Sequence, residues 1–461
     1  MEPNSLLGVF FWGFLLIYGL IMYALSPRAV TLGGFFHGED SQGRSAAPWL
    51  VTSSIFISWI FAKSVTNAAN LGASYGLIGG LAYATYWLSI PLAGLVIFRL
   101  RRRFGATGLV SFLTTNYGRS AALAFSAAIL IRLFNEVWSN TAVVGGYYGA
   151  AGSIEFIGAA SLFTVVTLAY SLRGGLRSSI MTDAAQAGIF LIALVWVLGL
   201  VLPQHSTKEL MSTSHWAMSS GVDLLLVAGL QIFSYPFHDP VLTDRGFISE
   251  ERTMRRSFFV AGLLGFVAIL AFSLIGVHTT LIGIGVSDNV PAALAKSMGV
   301  VALMVMTVVM VSAAGSTLDS TFSSLAKLVG RELPLLAGHD LGKKAIGVGM
   351  SVMVIFAVLG NIPMLTGTDI LKATTLSGTM VIGLAPVFVL HGMVTPTRLG
   401  FHLSFWCGIA LGIALTLGWI PQSWAIGDGK YALLLGTNLY GLALCILGYL
   451  IPGYLSKRVA I

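Results

Sequence analysis

The chain has 461 residues, of which 56% are hydrophobic and only 10% are charged, whereas soluble globular domains carry roughly 25% charged residues. This composition excludes a water-soluble fold and predicts an all-α polytopic membrane protein. The net charge of +8 comes from 26 Lys and Arg residues. They are spread through short segments between apolar runs, so the sequence predicts no basic domain for binding nucleic acid.

Thirteen apolar runs are candidate transmembrane helices, since a bilayer-spanning helix needs about 20 residues. In chain order they cover residues 5–26, 47–71, 76–98, 120–150, 155–171, 180–202, 222–240, 257–284, 298–328, 345–362, 368–392, 400–420 and 431–452. They leave no room for a separate soluble domain, and we interpret residues 1–461 as a single transmembrane domain.

The distribution of Lys and Arg predicts the orientation of these helices, because cytoplasmic loops carry an excess of both residues. If the N-terminus lies outside, 20 of the 26 cations fall on the cytoplasmic side, Arg245 among them. Four fall outside, and the other two, Lys63 and Arg132, lie within spans. The sequence therefore predicts a multi-pass protein of the cytoplasmic (inner) membrane with its N-terminus out and its C-terminus in.

The order of the spans indicates an internal repeat. Residues 47–202 and 222–392 each contain five spans, and the two blocks begin on opposite sides of the membrane. Inverted repeats of this kind are common in secondary transporters. The first span, 5–26, precedes the repeats, and two further spans within 400–452 follow them. The pattern alone also permits thirteen helices without internal symmetry.

Four short motifs resemble the sodium/solute symporter family, which includes proline permease and sodium/galactose symporters. The segment YSLRGGLRSSIMTDAAQ at 170–186 carries the family's Tyr, Gly-Gly, Thr-Asp and Gln signature. The other three motifs agree in order and spacing: GRS at 43–45 followed by Pro48-Trp49, Tyr235 followed by Asp239-Pro240 and Arg245, and AGSTLDS at 314–320. Together they cover the chain from about residue 28 to residue 330.

This resemblance implies a LeuT-type fold, with ten core helices in two inverted five-helix repeats, one helix before them and two behind. The first helix of each repeat is discontinuous in that fold, and the solute lies at the two breaks. Irregular backbone at membrane depth is tolerated where it lines a cavity, and its free carbonyls can bind a cation.

The resemblance also implies a sodium site. Ser316 and Thr317 match two hydroxyls that bind sodium together with backbone carbonyls, here those of Ile57 and Ile60. Asp183 matches a residue linked to sodium release toward the cytoplasm. Hydroxyl and carbonyl oxygens are the ligands that hard cations prefer. The alternative is that Ser316 and Thr317 bond to their own helix backbone or join helices.

The second span departs from the family pattern. Where proline permease has an essential acidic residue, this chain has Trp59, and Lys63 follows four residues later. A buried ammonium group can replace a bound ion electrostatically, and a buried lysine can exchange protons. Sodium is therefore the expected coupling ion, and proton coupling or sodium-independent transport with Lys63 in place of the ion is the alternative.

Three charged residues, Lys63, Arg132 and Glu136, lie deep within predicted spans, where an unpaired charge is costly. Lys63 and Glu136 should lie at one depth, and Arg132 and Glu136 are spaced i, i+4 and can pair. These residues either form a structural ion-pair cluster, or Lys63 or Arg132 binds a carboxylate of the solute.

The other candidate solute-binding residues lie on the second and seventh spans: Trp59, Ser64, Gln231 and Tyr235. Tyr235 matches an aromatic residue that covers the ligand in sugar-transporting relatives, and Pro236 could mark the helix break by removing a backbone donor. His238 and Asp239 are expected to mark the cytoplasmic end of that helix. Asp319 is expected to be paired near the cytoplasmic end of its own helix, where Lys327 follows.

The expected function is cation-coupled secondary transport by alternating access, with an amino acid or carboxylate as the favoured solute. The only other expected partner is the lipid bilayer. The sequence has no Walker loop, no metal-ligand spacing among its histidines and no nucleophile motif, which disfavours a pump or an enzyme. A membrane solute sensor that acts through a partner is the alternative from another class. A channel is disfavoured because no filter motif is present.

Overall fold

The computed structural model describes residues 3–284, 289–363 and 378–459, and these residues form helices joined by short loops. The helices, in chain order, are α1 (Pro3–Leu25), α2 (Leu32–His37), α3 (Pro48–Ser58), α4 (Ala62–Ala84), α5 (Ser89–Phe104), α6 (Leu109–Tyr117), α7 (Arg119–Gly146), α8 (Ile154–Gly174), α9 (Leu176–Val201), α10 (Thr207–Ser212), α11 (Val222–Gln231), α12 (Pro240–Thr243), α13 (Glu251–Leu281), α14 (Val290–Ser297), α15 (Val300–Lys327), α16 (Leu333–Leu336), α17 (Lys344–Leu359), α18 (Leu384–Val389), α19 (Arg398–Thr416) and α20 (Ala432–Val459).

Nine helices within the described residues are long and apolar enough to cross a membrane, which agrees with the predicted polytopic class. Three shorter apolar helices, α3, α11 and α17, lie where further spans were predicted. The first part of the predicted span 368–392 lies outside the described residues. The count of thirteen, the orientation and the division into two repeats stay predictions. The short helices α2, α6 and α10 lie between the predicted spans and were not predicted.

The helix α4 contains a sharp reversal at Gly76. The backbone of Gly76 is not helical, with φ 62° and ψ −147°, a conformation that suits glycine because it lacks a Cβ atom. As a result the chain folds back on itself, and the Tyr83 hydroxyl lies 3.2 Å from both Ser64 Oγ and Asn67 Nδ2. This hairpin places two predicted spans side by side in one continuous stretch, Ala62–Phe104.

Replacing Gly76 by Ala should destabilise the protein by about 1–3 kcal/mol, the usual cost of a strained backbone residue. An alanine Cβ at this position would also lie 2.5 Å from the Thr213 carbonyl oxygen. The measurement is thermal unfolding in detergent. The matched control is Gly188→Ala in the middle of α9, where an added Cβ meets nothing within 4 Å. Equal unfolding temperatures for the two variants would contradict this account of the turn.

The helices that position the site pack through small residues. The helix α13 packs along α4, and their backbones approach closely at Gly72 and Gly276, where a Cβ atom would overlap the opposite backbone. Small residues permit this kind of contact between membrane helices. The helix α9 packs against both α3 and α15. Residues of α3, α9 and α15 therefore meet in the protein interior.

Candidate functional site

Two helices are interrupted in the interior, and their breaks face each other. The helix α3 ends at Ser58 and α4 begins at Ala62, with non-helical residues between them. The helix α11 ends at Gln231 and is followed by the short 3₁₀ helix Tyr235–His238. The Trp59 indole nitrogen donates a hydrogen bond of 2.9 Å to the Asp239 carboxylate across this junction. The arrangement is the one that the sequence resemblance implied.

A cavity of about 50 Å³ lies beside the two breaks, with room for a few water molecules. Five of the predicted solute-binding residues line it: Trp59, Lys63, Ser64, Gln231 and Tyr235. The sequence interpretation missed its other lining residues: Phe61, Asn67, Leu71, Tyr83, Tyr86, Trp87, Leu224 and Tyr431. The spacing of Tyr83, Tyr86 and Trp87 on one helical face was a signal that could have indicated them.

The polar groups of this cavity are oriented by hydrogen bonds. The Gln231 side-chain carbonyl accepts a bond of 2.8 Å from the Tyr86 hydroxyl, and its amide nitrogen donates to Asn438 at 2.9 Å. The rings of Tyr86 and Tyr235 lie 5.6 Å apart. Aromatic faces with a few fixed polar groups are typical of small-molecule sites.

Four charged side chains form a buried, charge-balanced cluster behind the cavity, here called the quartet: Lys63, Arg132, Glu136 and Asp239. Lys63 Nζ and Arg132 Nη1 each lie 2.7 Å from Glu136 Oε1, and Arg132 Nη2 lies 2.9 Å from Asp239 Oδ2. The quartet joins α4, α7 and the residues after the second break. Its two cations are paired with its two anions, as the structural interpretation of these residues expected.

The quartet bears on two predictions. Arg132 and Glu136 are not among the residues that line the cavity, and their contact with a solute stays a prediction. Asp239 directly follows the short helix Tyr235–His238, but it is 2% exposed and bonded to Trp59 and Arg132, a burial that was not predicted. His238, also 2% exposed, lies with it in the interior.

Two of the predicted sodium ligands, Ser316 and Thr317, lie beside the end of α3. The Thr317 hydroxyl lies 3.4 Å from the Ser58 carbonyl oxygen, next to Ile57, whose carbonyl accepts a bond of 3.0 Å from the Ile60 nitrogen. Thr317 also donates to the Ala313 carbonyl of its own helix at 3.1 Å, as the alternative interpretation expected. Ser316 instead donates across the interface to Asp183. The hydroxyls and the first helix break are therefore neighbours.

Asp183 is the centre of a second buried polar cluster. Its carboxylate accepts hydrogen bonds from Ser54 at 2.5 Å and Ser58 at 3.2 Å, and it forms an ion pair of 3.1 Å with Arg245. The Arg245 guanidinium also donates to Ser320 at 2.7 Å. Arg245 was counted among the cations of the cytoplasmic side, and its complete burial was not predicted.

Asp319 belongs to the same cluster and not to the end of its helix. It accepts hydrogen bonds from Ser179 at 2.8 Å and Thr182 at 2.9 Å. Lys327 pairs elsewhere, with Asp244 at 2.5 Å and Glu332 at 3.1 Å. The expected pairing of Asp319 near Lys327 was therefore wrong. The serines at positions 54, 58, 179 and 320 were missed, although their spacing within apolar helices is visible in the sequence.

Comparison with known sequences gives partial matches to sodium-coupled transporters. The chain is 25% identical over 193 residues to the sodium/glucose cotransporter 1 of Mus musculus, in an alignment that covers 39% of this chain and 27% of that protein. It is 24% identical over 186 residues to the sodium/pantothenate symporter of Escherichia coli (strain K12), in an alignment that covers 40% of this chain and 38% of that protein. The matches thus span less than two thirds of either relative. No family model matches the chain.

Comparison with solved structures covers nearly the whole chain. A substrate-bound, outward-open structure of a Na⁺-coupled sialic acid symporter aligns over 99% of this chain and 98% of that one, with a TM-score of 0.76 and 14% identity. A closed structure of Mhp1, a nucleobase-cation-symport-1 family transporter, aligns over 92% of this chain and 94% of that one, with a TM-score of 0.57 and 14% identity. The chain therefore has a LeuT-type fold, and its sequence is similar to those of sodium/solute symporters.

Proposed function

We propose that this protein is a sodium-coupled symporter that moves a small organic solute across the membrane by alternating access. The observation that carries the proposal is the juxtaposition of two interrupted helices with the hydroxyls of Ser316 and Thr317 beside a buried cavity. Hydroxyl, carbonyl and carboxylate oxygens together form a set of hard ligands that suits a small cation. The similarity to a sodium/glucose cotransporter and to a sodium/pantothenate symporter supports the same proposal.

The cavity favours an uncharged polar solute over the amino acid or carboxylate predicted from Lys63 and Arg132. Lys63 is the only cationic side chain among its described lining residues, and it already lies 2.7 Å from Glu136. A solute carboxylate would have to compete with Glu136 for this ammonium group. The amide groups of Asn67 and Gln231 and the surrounding aromatic rings instead suit hydroxyl groups and apolar ring faces.

Substituting Ser316 or Thr317 by Ala should raise the sodium concentration for half-maximal uptake by at least about tenfold, the effect of losing about 1.4 kcal/mol of binding. The measurement is uptake of labelled solute by proteoliposomes at increasing external sodium. Ser323→Ala is the matched control, because its buried hydroxyl bonds, among the described residues, to the Asp319 carbonyl of its own helix alone. Unchanged sodium dependence in the Ser316 and Thr317 variants would overturn the proposed sodium site.

The same proteoliposomes separate the other functions that the sequence left open. Uptake of sugars, urea, amino acids and carboxylates should be measured under an imposed sodium gradient and then under a proton gradient. A response to the proton gradient alone would indicate coupling through a titrating group such as Lys63. Saturable binding without uptake under either gradient would indicate a sensor. Gradient-driven accumulation in liposomes that contain only this protein supports the symporter.

A further inference from the structure

A second concave site, which shares no lining residue with the cavity, lies in a groove between the ends of α1, α8 and α17. The groove has a volume of about 690 Å³. Its lining consists of Tyr23, Arg28, Ala29, Val30, Ala169, Leu172, Arg173, Lys343, Ile346, Gly347 and Met350. It contains three cationic side chains and no acidic side chain among the described residues that line it.

The three cations of this groove have no acidic partner among the described residues. No ion pair involves Arg28, Arg173 or Lys343 within the part of the chain that the structure describes. Arg28 and Lys343 are exposed. Arg173 is held in place, because its guanidinium lies 4.5 Å from the centre of the Tyr23 ring and donates a bond of 3.1 Å to the Tyr23 carbonyl. Three cations at one groove provide an attractive site for an anion.

Apolar residues continue the groove along each of its three helices. On α1, Leu16 and Leu20 lie on the same face as Tyr23 and are 53% and 70% exposed. On α8, Val165 lies one turn before Ala169 and is exposed, and on α17 Val354 lies one turn after Met350 and is exposed. These stripes run from the basic mouth toward the middle of the helices. The groove therefore offers a charged end and a hydrocarbon-facing end.

We propose that this groove binds an anionic phospholipid, with the phosphate at Arg28, Arg173 and Lys343 and an acyl chain along the apolar stripes. The basic end lies on the side of the membrane that the sequence predicts to be cytoplasmic, and basic pockets between helices on that side bind anionic headgroups. A soluble phosphate would use the cations and leave the apolar stripes without a role. The proposal is independent of the transported solute and of sodium coupling.

The test is lipid binding to the full-length purified protein, measured by native mass spectrometry with added phosphatidylglycerol or phosphatidylcholine. The wild-type protein should retain phosphatidylglycerol in preference to phosphatidylcholine. The double variant Arg28→Gln/Lys343→Gln should bind phosphatidylglycerol about 25-fold more weakly, at about fivefold for each cation removed. The control variant Arg102→Gln/Arg252→Gln removes two exposed arginines from the same predicted side and should stay within about twofold of wild type.

Three results would overturn the proposal: equal loss in the two double variants, equal retention of the two lipids by the wild type, or displacement of phosphatidylglycerol by equimolar glycerol phosphate. The last result would mean that the groove recognises a soluble phosphate. Unfolding temperatures without added lipid show whether each variant is folded. If Arg28→Gln/Lys343→Gln does not fold, Arg28→Lys/Arg173→Lys provides the second test. It keeps the positive charges and should keep the preference for phosphatidylglycerol.

Discussion

Replacing Arg245 by Gln is expected to destabilise the protein by about 3–5 kcal/mol, the usual cost of removing one partner from a buried ion pair. The guanidinium is fully buried and is the cation that pairs with Asp183. Without it, the carboxylate of Asp183 would remain in the interior, where Ser179 bonds both to it and to Asp319, another buried acid. Denaturant unfolding in detergent measures the loss of stability directly.

A second substitution tests whether charge is the cause. Adding Asp183→Asn to Arg245→Gln removes both members of the pair and should recover a large part of the lost stability, because no unpaired charge remains at that pair. The control is Arg252→Gln, which removes an exposed arginine and should change stability by less than about 0.5 kcal/mol. If the double variant is less stable than Arg245→Gln alone, the ion-pair explanation fails.

The cluster around Asp183 connects both interrupted helices to α9. Ser54 and Ser58 lie on the helix before the first break, and Arg245 follows the second break. Ser316, a proposed sodium ligand, also bonds to Asp183. An ion that contacts Ser316 would therefore change the hydrogen bonds of a carboxylate that also bonds to the helix before the first break and to Arg245 after the second. This arrangement gives a physical route by which sodium binding can bias the two helix breaks together.

The fold class could be predicted from the sequence because membrane helices are long and uniformly apolar. Length and hydropathy indicated the polytopic class, and the family motifs implied the two breaks that the structure shows at Trp59 and Tyr235. The reversal at Gly76 and the short helices α2 and α6 were not predicted. They depend on single backbone positions and on contacts with distant residues, neither of which alters the average hydropathy.

The site could be predicted only in part, because a sequence shows which charged residues are present but not which of them are in contact. The pairing of Lys63 with Glu136 followed from equal depth along two helices. The burial of Arg245 could not be predicted in this way. An arginine in a loop at the surface and an arginine in a loop that folds back into the interior have the same hydropathy pattern around them. The cavity-lining residue Tyr431 was missed for a similar reason, as it is distant in sequence from both breaks.

Replacing Glu136 by Ala should have an effect of similar size, about 3–5 kcal/mol, because Lys63 and Arg132 would then share only Asp239 as a buried counter-charge. The measurement is again unfolding in detergent, with Glu155→Gln as the control at an exposed acid at the start of α8. A loss no greater than that of the control would show that Glu136 does not neutralise the quartet.

The double variant Lys63→Met/Glu136→Met separates the structural and the solute-binding roles of Lys63. It removes one cation and one anion together and leaves Arg132 paired with Asp239 at 2.9 Å. Apolar replacement of a complete buried pair is often close to neutral for stability, so the variant should fold. If Lys63 only balances Glu136, uptake of an uncharged solute should persist. Loss of uptake in a protein of unchanged stability would instead show that transport needs the Lys63–Glu136 pair beyond its contribution to the fold.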